Sequence, residues 1–169
     1  MTDQLWATWR LKYIESADQI PGCIFCDFPA RDAAQDRETL ILHRGEYAFI
    51  ILNAYPYSNG HLMVVPYRHT ASLSDLDDKT LLEVMQLTRL CVSLLKAAFN
   101  PDGFNLGVNM GKVAGAGIAD HLHWHIVPRW NGDTNFMPVL ADVRVIPESL
   151  SVVYDRLTHA LKGQTEMTT

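Results

Sequence analysis

Histidine stands at every second position in Asp120-His-Leu-His-Trp-His-Ile-Val-Pro128, and that alternation constrains the fold more than any other stretch of the chain. Residues two apart share a face in an extended strand, whereas a helix sets them on different sides. Ile126 and Val127 are β-branched and favour the strand. His121, His123 and His125 are therefore expected in a row on one face of a strand over Asp120 to Val127, spaced about 6.6 Å apart. Such a row suits a phosphate chain or a metal. Trp124 is expected on the opposite face, in the core or in subunit packing.

The segments before this strand supply partners for it. Thr39 to His43 and Tyr47 to Asn53 are apolar runs flanking Arg44-Gly-Glu46, which predicts a hairpin, and a turn over Ala54 to Gly60 leads to a third strand, His61 to Val65, ended by Pro66. Leu82, Met85, Leu90, Leu94 and Ala97 recur at helical spacing in the longest helix, about Asp75 to Phe99, with Ser74 and Asp75 as caps. Gly103 to Asn109 reads as a fourth strand and Lys112 to Gly117 as a glycine-rich loop. Trp6, Trp9 and Tyr13 mark a short amphipathic helix over 4–15, Val139 to Val145 reads as extended, and Pro147 opens a terminal helix over 148–162. The sum is an α+β domain: a mostly antiparallel five-stranded sheet, a long central helix packed on it, and helices at the termini.

With 169 residues, 48% of them hydrophobic, a single domain over 1–169 is expected, its core about 23–130. No apolar run reaches the roughly 18 residues of a membrane span, and Met1-Thr-Asp-Gln lacks a secretory start, so no membrane association and a cytoplasmic location are expected. A net charge of −5 argues against a nucleic-acid polymer as partner. Three cysteines make no disulfide framework; the spacing of Cys23 and Cys26 suits a metal better than a structural bridge, and Cys91 reads as core.

Gly60-His61-Leu-Met-Val-Val-Pro66, the later His69, and His121-Leu-His-Trp-His-Ile-Val-Pro128 together resemble the histidine triad (HIT) superfamily of nucleotide hydrolases and transferases. The Trp-rich lead, the cysteine pair, Val127-Pro-Arg-Trp130 with Gly132 to Phe136, and Val145 to Leu150 are similar to the branch holding bacterial diadenosine tetraphosphate phosphorylases and related hydrolases. The resemblance implies attack on the α-phosphate of a dinucleoside polyphosphate by the middle histidine, His123, through a nucleotidyl-histidine intermediate. Water would resolve it in a hydrolase, and inorganic phosphate in a phosphorylase giving ADP and ATP. Imidazole chemistry agrees, because a ring with a pKa near 6.5 is largely neutral at pH 7 and nucleophilic at one nitrogen if the other is held protonated. His125 is expected to donate to a phosphate oxygen or the leaving group, and His121 completes the triad.

The family position of Asn53 faces ribose hydroxyls, and a role as turn former before Pro56 stands beside that reading. Asn109, Gly111 and Gly117 fall where the family contacts phosphate, although Gly117-Ile-Ala119 lacks the hydroxyl or amide that many relatives carry before the triad. His61 belongs either to the ribose or phosphate pocket or to a strand cap, and Lys112 and Arg129 are candidate attractants for polyphosphate or solvated surface charges. The resemblance also implies a structural zinc site of Cys23, Cys26, His69 and His121, with a redox pair and inert thiols as alternatives, and no organic cofactor. Pairing into homodimers follows from the resemblance as well. Alternative functions are purine nucleoside phosphoramidate hydrolysis and nucleotide binding with little turnover. A catalytic metal held by the triad is disfavoured, because a full barrel needs about 250 residues and a cupin lacks a long central helix.

Overall fold

The computed structural model describes residues 22–133 and 148–166, so the expected helix over 4–15 and extended stretch over 139–145 lie outside the described residues. Five strands, β1 (Ile41–Arg44), β2 (Ala48–Leu52), β3 (Leu62–Pro66), β4 (Gly103–Val108) and β5 (Trp124–Arg129), form one sheet in the order β1-β2-β3-β5-β4. All neighbouring strands are antiparallel. Among the described residues four α-helices accompany them: α1 (Ile24–Asp27), α2 (Asp36–Thr39), α3 (Asp78–Phe99) and α4 (Leu150–Glu166). The α+β architecture with a long central helix is the one the apolar pattern predicts.

Period-two alternation divides the core between the two faces of the sheet. Leu42, Ala48, Ile50, Leu52, Leu62, Val64 and Ile126 pack against Val84, Leu87, Cys91, Leu94 and Leu95 of α3 and Val153, Tyr154 and Leu157 of α4. Ile41, Phe49, Ile51, Met63 and Val65 point the other way, under Phe25 of α1. β2, central in both layers, is buried throughout. Trp124 joins the helix side, so His123 and His125 face the layer that holds α1.

Three local features depart from the expectations. β5 begins at Trp124, so only His125 of the triad lies within the strand. The reason is a change of partner: the ladder to β3 ends at Val64 opposite Trp124, and Leu122 N–H instead donates to Thr70 O at 2.8 Å. The cap of α3 is Asp77, whose side chain accepts from Thr80 N–H at 2.8 Å. Ser74 and Asp75 belong to a separate 3-10 turn over Leu73–Asp75, which the extended, buried Leu76 divides from α3. The stretch from Phe28 to Asp36, polar and Pro-containing and so expected as a loop, holds a 3-10 turn, Ala33–Gln35, and the first residue of α2.

The hairpin between β1 and β2 is held from α3. Glu83 accepts backbone N–H bonds from Glu46, Tyr47 and Ala48 at 2.9, 2.5 and 2.8 Å. Gly45 is required there, because a Cβ would lie 2.7 Å from Ala48 O and 2.8 Å from Glu83 Oε1.

Candidate active site

His121, His123 and His125 enter the sheet from the segment that joins the 111–120 loop to β5. His121 has no exposed surface and His123 is 4% exposed. Each ring is fixed by a backbone carbonyl. His121 Nε2–H donates to Pro66 O at 2.8 Å, and His123 Nδ1–H donates to His121 O at 2.8 Å. A carbonyl only accepts, so the proton of each neutral ring is on the bonded nitrogen. The lone pairs are left on His121 Nδ1 and His123 Nε2. Burial lowers the pKa of both rings below the ordinary histidine value, against the raising effect of those carbonyl bonds. His123 thus presents a neutral, oriented nitrogen.

His125 lies beside it, the two rings 4.8 Å apart and edge to face. Behind His125 sits His61, which has no exposed surface. His61 Nε2 is 3.0 Å from His125 Nδ1. On its far side, His61 Nδ1 accepts from Tyr57 N–H at 3.1 Å and faces the Asn53 amide nitrogen at 3.2 Å. Asn53 Oδ1 in turn accepts from Tyr55 N–H at 2.9 Å, which fixes the turn after β2. Tyr57 packs on both imidazoles, its ring 4.7 Å from that of His61 and 5.7 Å from that of His125.

Val108 pairs with Trp124, so Asn109 leaves the end of β4 next to the point where His123 enters β5. Gly111 is exposed with φ +82°, a conformation suited to glycine, and a Cβ there would point into open space. The loop continues through the 3-10 turn Lys112–Ala114 to Gly117, and Ile118 packs on the core layer beneath α1. Arg129 is not a loose attractant: Asp133 engages its Nε and Nη2 at 2.5 and 2.7 Å, and Asn105 takes Nη1.

A second cluster adjoins the first. Cys23, Cys26, His69 and His121 offer one ligand atom each, all within 4.8 Å of one another. His121 Nδ1 lies 3.3 Å from Cys23 Sγ, 3.6 Å from Cys26 Sγ and 3.2 Å from His69 Nδ1, and Cys26 Sγ lies 3.4 Å from His69 Nδ1. The Pro66 carbonyl, by holding the proton of His121 on Nε2, turns a lone pair into this group. Burial, ahead of the neighbouring Cys23, pushes the Cys26 thiol up to about 11. A cation among the four donors would reverse that preference and hold both sulfurs as thiolates. The donor set fits a metal ion.

Two residues escape the sequence reading. Phe25 is 1% exposed and packs on both His121 and His123, with ring centroids at 5.5 and 5.0 Å. Tyr57 contributes its backbone N–H as much as its ring. A phenylalanine between two cysteines carries no signal beyond core packing, and a donated N–H has no signature in residue type.

A model of the HIT domain matches residues 34–132. AP-4-A phosphorylase of Mycobacterium tuberculosis is 39% identical over 155 residues, covering 87% of this chain and 78% of that protein. Adenosine 5'-monophosphoramidase of Schizosaccharomyces pombe is 25% identical over 83% of this chain and 99% of its own length. Among solved structures, a zinc-bound histidine triad family protein from Mycobacterium smegmatis superposes with a TM-score of 0.67 at 26% identity, covering 86% of this chain and 97% of that one.

Proposed function

The chain belongs to the HIT family, and from that premise we propose that it is a nucleotidyl-transferring enzyme that cleaves diadenosine tetraphosphate by phosphorolysis. The observation that carries this reading is the buried, neutral His123, with Nδ1–H tied to its neighbour's carbonyl and Nε2 left as the nucleophile. The 39% identity to a mycobacterial AP-4-A phosphorylase supports the choice of substrate and acceptor.

In the first step, His123 Nε2 bonds to the α-phosphorus while the bond from that phosphorus to its bridging oxygen breaks, and ATP leaves as an anion. In the second, an oxygen of inorganic phosphate attacks the same phosphorus, the bond to Nε2 breaks, and ADP forms. His125 donates a hydrogen bond to a phosphate oxygen, where negative charge is densest. Asn53 serves the ribose through the acceptor capacity that its Oδ1 keeps beyond the bond from Tyr55 N–H, and Asn109, Gly111 and Gly117 serve the phosphate chain, the glycines through backbone N–H groups. His61, buried behind His125, acts through that ring.

For the metal we propose zinc. Two thiolates and two imidazoles are its usual closed structural set, and a tetrahedron with bonds of about 2.0–2.3 Å has edges of about 3.3–3.8 Å, close to the 3.2–3.6 Å separations around His121. The zinc-bound relative supports the assignment. When bound, the ion cross-links the α1 segment to the catalytic one. The same reading treats residues 1–169 as one domain and the protein as a cytoplasmic homodimer. The exposed edge strand β4, with Leu106 at 53% exposure, supports pairing, and no described helix is long and apolar enough to cross a membrane.

Incubation with diadenosine tetraphosphate, with and without inorganic phosphate, tests the reading. ADP plus ATP formed only with phosphate is the expected result, accompanied by an acid-labile adenylyl adduct that His123→Ala abolishes. AMP plus ATP without phosphate would mean hydrolysis. Cleavage of adenosine phosphoramidate alone would favour the second reading, which the S. pombe relative supports. Absence of any adduct would leave a nucleotide binder.

A further inference from the structure

Hydrogen-bond direction can be followed inward from Tyr57. A backbone N–H only donates, so the His61 Nδ1 that it meets at 3.1 Å is an acceptor and carries no proton. The Asn53 amide at 3.2 Å, oriented by the Tyr55 N–H bond to its Oδ1, addresses the same lone pair. The proton of neutral His61 is therefore on Nε2, which faces His125 Nδ1 at 3.0 Å. His125 Nδ1 is in turn an acceptor, and the proton of neutral His125 is on Nε2. Each tautomer follows from the one before it, and the sequence starts at a group that cannot reverse.

We propose that the turn Asn53–Tyr57 and His61 form a positioning relay that fixes His125 as the Nε2–H tautomer, ready to donate to substrate phosphate. His61 is thus a positioning residue that contacts His125 and no substrate; it is fully buried. The stacked ring of Tyr57 holds both imidazole planes in place. The relay supplies orientation, and no bond is made or broken along it. This inference rests on the nucleotidyl-transfer reading for the use made of the His125 proton, but the tautomers themselves do not depend on it.

The test uses the full chain labelled with ¹⁵N. Two-bond ¹H–¹⁵N correlation spectra without substrate should show His61 and His125 each protonated at Nε2 and unprotonated at Nδ1. His61→Leu should release His125 into a mixture of tautomers and lower kcat for diadenosine tetraphosphate with phosphate roughly 100-fold, with KM changed much less. His61→Gln can accept from Tyr57 N–H through its carbonyl oxygen and donate to His125 through its amide, so it should restore most of kcat and the Nε2–H signature. An Nδ1–H tautomer of His125 in the wild type, or full kcat in folded His61→Leu, would overturn the relay. If His61→Leu does not fold, the wild-type tautomers and the His61→Gln rate decide. A wild type inactive on dinucleotides but carrying the two Nε2–H tautomers would refute the nucleotidyl-transfer reading and leave the tautomer relay standing.

Discussion

Among the described residues, the ring of Phe25 joins the two chemical clusters. Phe25 lies on α1 between Cys23 and Cys26, and its ring touches both His121, one of the four clustered donors, and His123, the proposed nucleophile. Whatever moves the cysteine segment therefore moves a wall of the cage around His123. Phe25→Leu keeps the site filled but removes the flat face, and such volume-conserving changes cost about 1 kcal/mol. The expected outcome is a fall of a few degrees in the thermal midpoint, together with a several-fold loss of kcat as His123 wobbles from its attacking orientation; calorimetry and steady-state assays on one preparation measure both. The placement of His123 and His125 was legible in the sequence because it follows from a two-residue period. The tie from Tyr57 to His61 was not, because it depends on the path of a turn, and a backbone N–H belongs to every residue except proline.

Among the elements, α3 organises the sheet from one side and the hairpin from its own first turns. Glu83 faces Glu46, Tyr47 and Ala48 because the i, i+3, i+4 period that buries Thr80, Val84 and Leu87 leaves position 83 at the margin of the apolar stripe, above the β1–β2 turn. Glu83→Ala removes the acceptor for three N–H groups at once. Hydrogen bonds to a charged group contribute about 1.5–3 kcal/mol each in favourable cases, and water can replace part of that at a partly exposed turn. A net loss of about 2–3 kcal/mol is expected, read as a lower urea midpoint with an unchanged m-value. Activity at low temperature should survive, since β1 and its turn lie at the sheet edge opposite β4. The sheet, the long helix and their order could be read from apolar periodicity. Helix starts could not be read as well: Ser74, Asp75 and Asp77 are all competent caps, and the burial of Leu76 in an extended conformation selects the last of them.

At the scale of the whole molecule, the chain is tied across long sequence separations at the four-ligand cluster. Cys23 and His121 are 98 residues apart, and Cys26 and His69 are 43 apart. An ion at their centre would close both loops, and closing a loop of about 100 residues by a covalent link stabilises by as much as roughly 4–5 kcal/mol in the chain-entropy account. A chelator strong enough to strip zinc should therefore lower the thermal midpoint by on the order of 10 °C, at about 2–4 °C per kcal/mol for a chain of this size. Elemental analysis should find one zinc per chain before treatment. Cys23→Ser should begin near the stripped midpoint and respond little to the chelator, which separates loss of this site from general effects of the reagent. His123→Ala should still hold zinc, because His123 is not among the four clustered donors. A midpoint unmoved by complete zinc removal would assign the fold's stability to the two apolar layers alone. In that case Phe25 would have to hold its place over His123 without help from the cysteines beside it.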